Sequence, residues 1–219
     1  VFTLGVASGD PLPDRVMLWT RLLDPLAPIE GERRVEWEVA RDDAFRDVVA
    51  GGDAVASPES AYAVHVDATG LSPSEVYYYR FHALGDTSPI GRTRTAPEAD
   101  AMEPLRMAVA SCQDWRDGYY TAYRDLVEQA PDLVAFLGDY IYENPGGDVR
   151  MHRGEECVTL ADYRDRYAQY RSDPLLRAAH AWCPWIVTWD DHEVDNNWRG
   201  DTPEEDGITQ SEACLARRP

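Results

Sequence analysis

The sequence contains no lysine: its 21 basic residues are all arginine, and they stand against 40 acidic residues, for a formal net charge of −19. A surface with this excess of negative charge repels the phosphates of DNA and RNA and anionic membranes. Bound metal ions reverse such a field only locally. The composition therefore argues against nucleic-acid binding through a basic patch, and it leaves the oligomeric state unknown.

Long apolar segments and paired cysteines are absent as well. No segment approaches the ~20 apolar residues of a transmembrane helix, and no charged and then apolar leader opens the sequence. The cysteines at 112, 157, 183 and 214 form no CxxC pair, which excludes a zinc ribbon or a thioredoxin-like motif. In an exported protein, Cys157 and Cys183 would be the first pair to test for a disulfide.

What the sequence does contain, 44% hydrophobic and 11% aromatic residues, is enough to form a folded core. Residues 1–97 alternate apolar and polar positions over short segments, which predicts an antiparallel β-sandwich. Turn residues separate these segments, and "VAGGD" at 49–53 is one such turn signal. The stretch "ATGLSPSEVYYYRFHA" resembles the tyrosine corner of immunoglobulin- and fibronectin-like domains. The predicted strands are Thr3–Ala7, Arg15–Arg21, Arg34–Ala40, Ala61–Asp67, Val76–Ala83 and Gly91–Thr95.

Residues 98–104 have the composition of a linker, and the pattern changes after them. Strand Leu105–Ser111, a helix over 118–130 and a buried strand Leu133–Leu137 form a predicted βαβ unit, whose two strands are parallel. A helical stretch over 160–181, interrupted at Pro174, precedes a third apolar strand at 185–189. The sequence therefore predicts two domains, a β-sandwich over 1–97 and an α/β domain over 105–219.

Chemically reactive side chains follow each of the three predicted parallel strands. The exits read "SCQ" from Ser111, "GDYIYE" from Gly138 and "DDHEVDNN" from Asp190. The carboxyl ends of parallel strands meet at one edge of a sheet, where open α/β folds bind ligands. Taken singly, each residue has a structural explanation, such as a helix cap or a buried thiol. Together, the clustered anionic groups predict a cation site.

The types of ligand restrict the metal. The sequence has no HExxH motif and only one histidine in the cluster, so a histidine-rich zinc site is poorly supported. Carboxylate, phenolate, thiolate and amide groups favour a trivalent iron or a hard divalent ion such as Ca²⁺. A site that binds only structural Ca²⁺ remains an alternative.

Five motifs together resemble the alkaline phosphatase D family of metallophosphoesterases: "GVASGDP", "RVMLWTR", "VASCQDWRDGYYTAY", "DLVAFLGDYIYE" and "WDDHEVDNNW". The resemblance runs from residue 2 to the end of the chain. It implies an immunoglobulin-like domain followed by a calcineurin-like αββα metallophosphatase domain. It also implies hydrolysis of phosphate mono- and diesters outside the cytoplasm, in a secreted, periplasmic or cell-wall-associated protein, with Fe³⁺ and Ca²⁺ as the typical metals.

The resemblance also assigns roles to residues. It implies that Asp139 bridges two ions and that Tyr142 is a phenolate ligand of iron. Cys112 stands where other calcineurin-like enzymes have Asp-x-His, and Asp191 is the implied ligand of the second ion. His192 is the implied general acid or phosphate contact. Asn196 and Asn197 are implied phosphate contacts. The sequence leaves open whether Arg116 or Arg124 also contacts the phosphate.

The chain departs from the family pattern at its C-terminus. The family implies further strands and a later Gly-His-x-His motif, but no histidine follows His192. We therefore expect a catalytic domain that is incomplete at the C-terminus, and a 219-residue chain that retains metal weakly and has little phosphatase activity. Three alternatives remain: a metal-dependent nuclease or phospholipase on the same scaffold, a non-catalytic extracellular binding module with a decayed metal site, and the structural Ca²⁺ site named above.

Overall fold

The structure is a computed structural model that describes residues 1–198. It contains eleven strands and three α-helices among these residues, with a short 3₁₀ helix at Trp115–Asp117. The strands are β1 Val6–Leu12, β2 Arg15–Arg21, β3 Arg33–Ala40, β4 Val48–Ala56, β5 Ala63–Thr69, β6 Val76–Ala83, β7 Asp86–Thr87, β8 Gly91–Arg94, β9 Met107–Ala110, β10 Leu133–Leu137 and β11 Trp185–Thr188. The helices are α1 Ala122–Glu128, α2 Leu160–Arg171 and α3 Pro174–Trp182.

The strands form two sheets, one mixed and one antiparallel. One has six strands in the order β5-β2-β1-β11-β10-β9, and the other has the order β4-β3-β6-β7, with β8 also paired to β6. Buried residues from both sheets, among them Val6, Leu18, Val39 and Tyr79, form one hydrophobic core. The N-terminal strands thus pack as two facing layers, because alternate side chains of each strand point into the space between the sheets.

The six-stranded sheet is continuous from the N-terminal strands into the α/β part of the chain. β1 pairs with β11 in parallel at Gly9 and Trp185. A Cβ atom on residue 9 would lie 2.8 Å from the Trp185 carbonyl oxygen, so only glycine allows this approach. The first strand of the sandwich is therefore also a neighbour of the last parallel strand.

The βαβ prediction is confirmed, since β9 and β10 are parallel and α1 connects them. β10 is in turn parallel to β11 over Val134–Leu137 and Trp185–Thr188. The helical stretch is interrupted before Pro174, which occupies the first turn of α3. The Asp173 side chain caps this helix by accepting hydrogen bonds from the backbone N–H groups of Leu175 and Leu176.

Two sequence predictions require correction. "VAGGD" is not a turn but lies within β4, where Gly52 faces the Trp37 ring: a Cβ atom there would lie 3.1 Å from it. The apolar strands of the α/β part are not buried on both faces. The helices cover one face, while Met107, Val109 and Ile186 on the other face are about half exposed.

Cys157 and Cys183 are buried free thiols in the structure and do not form a disulfide. Burial raises the pKa of the Cys157 thiol to about 11 and that of Cys183 to about 12. The fourth cysteine, Cys214, lies outside the described residues. Over residues 1–198, none of the helices has both the length and the apolar character needed to cross a bilayer.

A candidate metal centre at the strand exits

The exits of β10 and β11 approach each other closely at a glycine. Gly138 has a φ of 99°, and a Cβ atom on it would lie 2.6 Å from the Asp190 Cβ atom. The next residue, Asp139, also has a left-handed backbone, with a φ of 56°. Such a conformation costs about 1–3 kcal/mol for a non-glycine residue, and strain of this kind tends to cluster at functional sites. The sequence Gly-Asp thus allows two carboxylate-bearing turns to meet.

Three predicted site residues converge at this point. Asp139, Asp191 and His192 each offer one ligand atom, and these atoms all lie within 4.8 Å of one another. Asp139 is 8% exposed, and its Oδ1 atom has no hydrogen-bond partner among residues 1–198. Leaving a buried acceptor unsatisfied costs about 1–3 kcal/mol, and more if it is charged. The donor set and this unpaired oxygen fit a bound cation, which would satisfy it.

Tyr142 and Cys112 border the same cluster. The Tyr142 hydroxyl donates to Asp139 Oδ2 at 3.2 Å, and its ring lies 4.2 Å from the His192 ring. Burial, and then the negative charge of Asp139, raise the pKa of the Tyr142 phenol. Cys112 is exposed, and its backbone N–H donates to the Gly138 carbonyl at 3.1 Å. The structure therefore places all four predicted metal ligands at one sheet edge.

A fully buried glutamate orients His192. His192 Nδ1 lies 2.8 Å from Glu143 Oε2, and the side chain of Glu143 has no solvent exposure. Burial lowers the pKa of His192, but the hydrogen bond to Glu143 and the charges of Asp139 and Asp191 outweigh it, so that the pKa is raised. Because Nδ1 faces Glu143, Nε2 is the ring nitrogen left for a cation or a substrate.

A second buried glutamate joins the two strand exits. Glu193 accepts one hydrogen bond from the Tyr140 backbone N–H and another, at 2.8 Å, from that of Asp190. Burial raises the pKa of the Glu193 carboxyl, although the backbone N–H groups act in the opposite direction. Glu193 therefore fixes the backbone on which Asp139 and Asp191 are carried.

The predicted phosphate contacts are also near the cluster. The Asn196 backbone N–H donates to Glu143 Oε1 at 2.8 Å, and the Asn197 backbone N–H donates to Asp191 Oδ2. Arg116 lies with its guanidinium 5.6 Å from the Tyr142 ring centre and forms a forked ion pair with Asp114.

Of the two arginines that the sequence left open, Arg116 borders the cluster. Arg124 is an exposed residue of α1.

The sequence reasoning missed Glu143 and Glu193 although both occur in the quoted motifs. Each follows a predicted ligand by a few residues: Glu143 follows Asp139, and Glu193 follows Asp191. The signal that could have identified them is a second carboxylate within a few residues of a predicted metal ligand at the end of a strand. Their role depends on partners at the other exit, and only the fold reveals these partners.

A cluster of carboxylates, a phenol, a thiol and an imidazole at the carboxyl edge of a parallel sheet is typical of metal-dependent hydrolases. The chain belongs to the PhoD-like phosphatase family. Residues 107–219 match the family model described as "PhoD-like phosphatase", and residues 1–97 match "PhoD-like phosphatase, N-terminal domain".

Similar proteins agree with this assignment. The chain is 52% identical over 215 residues to alkaline phosphatase D of Bacillus subtilis (strain 168), which covers 93% of this chain and 37% of that protein. It is 35% identical over 86 residues to purple acid phosphatase 15 of Arabidopsis thaliana, covering 36% of this chain and 16% of that protein. The solved structure of PhoD superposes with a TM-score of 0.94 at 51% identity, covering 98% of this chain and 43% of that one. The chain thus spans less than half the length of these relatives.

Proposed function

We propose that the protein hydrolyses phosphate mono- and diesters with metal-activated water, as part of a longer catalytic unit. The observation that carries the proposal is the buried Asp139 carboxylate: it clusters with Asp191 and His192, with ligand atoms within 4.8 Å of one another, and its Oδ1 atom is unpaired among the described residues. The family membership supports it. Ions bound here would lower the pKa of a water molecule and neutralise the phosphoryl oxygens.

Each residue has a distinct role in this proposal. Asp139 would help to hold the ions, and the phenolate of Tyr142 and the thiolate of Cys112 would suit Fe³⁺. The carboxylate of Asp191 suits Ca²⁺. His192, held through Nδ1 by Glu143, uses Nε2 to protonate the leaving oxygen or to bind the phosphate.

The amide side chains of Asn196 and Asn197 bind phosphoryl oxygens in this proposal. Arg116 contributes a positive charge at the same edge of the sheet. Its guanidinium would stabilise the phosphate once the cations have offset the local carboxylates.

The domain organisation and location are part of the same proposal. We assign residues 1–97 to an immunoglobulin-like β-sandwich, residues 98–104 to a linker, and residues 105–219 to the first part of a calcineurin-like domain. The separate family-model matches over residues 1–97 and 107–219 and the two separate hydrophobic cores support this division, although one sheet runs through both parts. A protein with this assignment would act outside the cytoplasm, as a secreted, periplasmic or cell-wall-associated phosphatase.

The experiment compares metal content in Asp139→Asn and in the matched control Asp43→Asn, an exposed loop residue. Elemental analysis after incubation with iron and calcium should show lower metal content only in Asp139→Asn. In chelator, Asp139→Asn should be at least as stable as the parent chain, because it removes a buried negative charge. Unchanged metal content in Asp139→Asn would contradict the proposal and favour a binding module without a functional metal site.

Hydrolysis is measured with p-nitrophenyl phosphate and its bis ester, which separate mono- from diesterase activity. The 219-residue chain should turn both over weakly, and the residual activity should require added metal and disappear in Asp139→Asn. Rapid turnover by this chain would contradict the expectation that further residues complete the site.

A further inference from the structure

A second cleft lies outside the metal cluster, between the six-stranded sheet and α2. Its volume is about 740 Å³. Its floor is a row of directly paired residues on adjacent strands, Ala7, Trp19 and His65, on the face opposite the sandwich core. Tyr167 of α2 forms one wall. The cleft thus spans both segments matched by the family models, and junctions of this kind are common sites for small-molecule binding.

The cleft has aromatic and aliphatic walls that remain open to solvent. Trp189, beyond the end of β11, is 56% exposed, and Val187 is 51% exposed. Trp19 and Tyr167 add two further aromatic side chains. Single exposed apolar residues scattered over a surface are normal in folded proteins. A group of them in one concave surface indicates a binding site.

Positive charge is concentrated in the same cleft, although the protein as a whole is strongly acidic. Arg171, at the inner end, is 6% exposed, and its Cζ atom lies 4.8 Å from the Trp19 ring centre. Its Nη2 atom donates to the carbonyls of Leu4 and Val6, whereas Nε and Nη1 have no hydrogen-bond partner within residues 1–198. A buried guanidinium that lacks an acidic partner is costly, and an anion nearby would offset that cost.

Two further arginines border the cleft. Arg21 donates through Nε to the Ala61 carbonyl and through Nη1 to the Arg164 carbonyl, so its positive charge is not neutralised by these contacts. Arg164 also lines the cleft. The carboxylate that lines it, Glu193, accepts backbone N–H groups at the strand exits. The charge balance among the lining residues is therefore positive.

We propose that this cleft binds a small amphiphilic anion, with its single acidic head group near Arg21, Arg164 and Arg171 and its apolar body over Trp19. The metal ligands Asp139 and Asp191 do not line the cleft. The anion would therefore be bound without direct contact to these metal ligands. The ligand class comprises alkyl or aryl carboxylates, sulfonates and phosphate monoesters, which share an anionic head and an apolar body.

The probe is 1-octanesulfonate, titrated by isothermal calorimetry into the 219-residue chain in the presence of chelator. We expect saturable binding at one site, and about tenfold or greater weakening in Arg21→Gln, Arg164→Gln and Trp19→Ala. Arg34→Gln, which removes a well-exposed arginine of β3, is the matched control and should leave the dissociation constant unchanged. 1-Octanol, which lacks the charge, should bind at least about tenfold more weakly.

Circular dichroism and the thermal midpoint of unfolding check that each variant is folded. One folded variant among the three cleft variants is enough for the test. Three results would overturn the proposal. The parent chain could fail to bind 1-octanesulfonate, or the cleft variants could bind it as tightly as Arg34→Gln does. The parent chain could also bind 1-octanol as tightly as 1-octanesulfonate. Binding that appears only after iron and calcium are restored would also overturn it, since the anion would then occupy the metal cluster.

Discussion

Replacing Gly138 by alanine tests the close approach of the β10 and β11 exits. Two separate costs arise in this variant. The φ of 99° is unfavourable for any residue with a Cβ atom, which costs about 1–3 kcal/mol. The new methyl group would also lie 2.6 Å from Asp190 Cβ and 2.7 Å from Asp190 N, and relieving such a clash costs about 1–3 kcal/mol. We expect a total loss of about 2–6 kcal/mol in the free energy of unfolding.

Gly70→Ala provides the matched control. Gly70 has a φ of 80°, but a Cβ atom there would have no neighbour within 4 Å. This variant therefore suffers the backbone cost alone, about 1–3 kcal/mol. The difference between the two variants isolates the contact between the strand exits.

Urea unfolding, followed by circular dichroism, measures both variants in chelator. The expected order of stability is parent, Gly70→Ala, then Gly138→Ala. Metal uptake should decrease only in Gly138→Ala, because the clash separates the turns that carry Asp139 and Asp191. Equal destabilisation by the two alanines, with equal metal uptake, would refute the structural reasoning about this glycine.

Two further predictions concern titratable groups. Burial, opposed in part by the hydrogen bond to Asn144, lowers the pKa of His152 to about 4. Between about pH 6.5 and 4 the unfolded chain therefore binds a proton at His152 that the folded protein does not bind. The folded protein should lose about 3 kcal/mol of stability as the pH falls through this range. Urea midpoints measured across this range should show that loss in the parent and not in His152→Gln. Iodoacetamide followed by mass spectrometry should label the exposed Cys112 in the folded protein, whereas Cys157 and Cys183 should react only after unfolding; equal labelling would contradict their burial.

The elements predicted well from sequence were those with a strong local pattern. β2 and β6 have the predicted bounds because apolar and polar residues alternate along them and turn residues flank them. β4 was missed because its Gly51 and Gly52 resemble a turn. Both glycines serve the pairing with β3, where larger residues would meet the Trp37 backbone or ring. That requirement comes from the neighbouring strand and is invisible in a local pattern.

The same distinction applies to the candidate site. Strand polarity predicts that Asp139, Asp191 and His192 lie at one edge of the sheet, and the structure places them together there, whereas their roles come from the family resemblance. Glu143 and Glu193 could not be assigned, because their roles are defined by hydrogen bonds to the other exit. The position of Cys112 beside Gly138 likewise depends on a backbone contact between strands.

The pairing of β1 with β11 has a consequence for biosynthesis. β1 contains residue 9, which leaves the ribosome early, but its parallel partner at residue 185 is made only after nearly all the described residues. One edge of β1 therefore exposes unpaired backbone groups until β11 has been synthesised, and such edges favour association with other chains. Contacts this distant in sequence also slow folding. Chaperone dependence and aggregation of nascent chains should accordingly be most pronounced before β11 is synthesised.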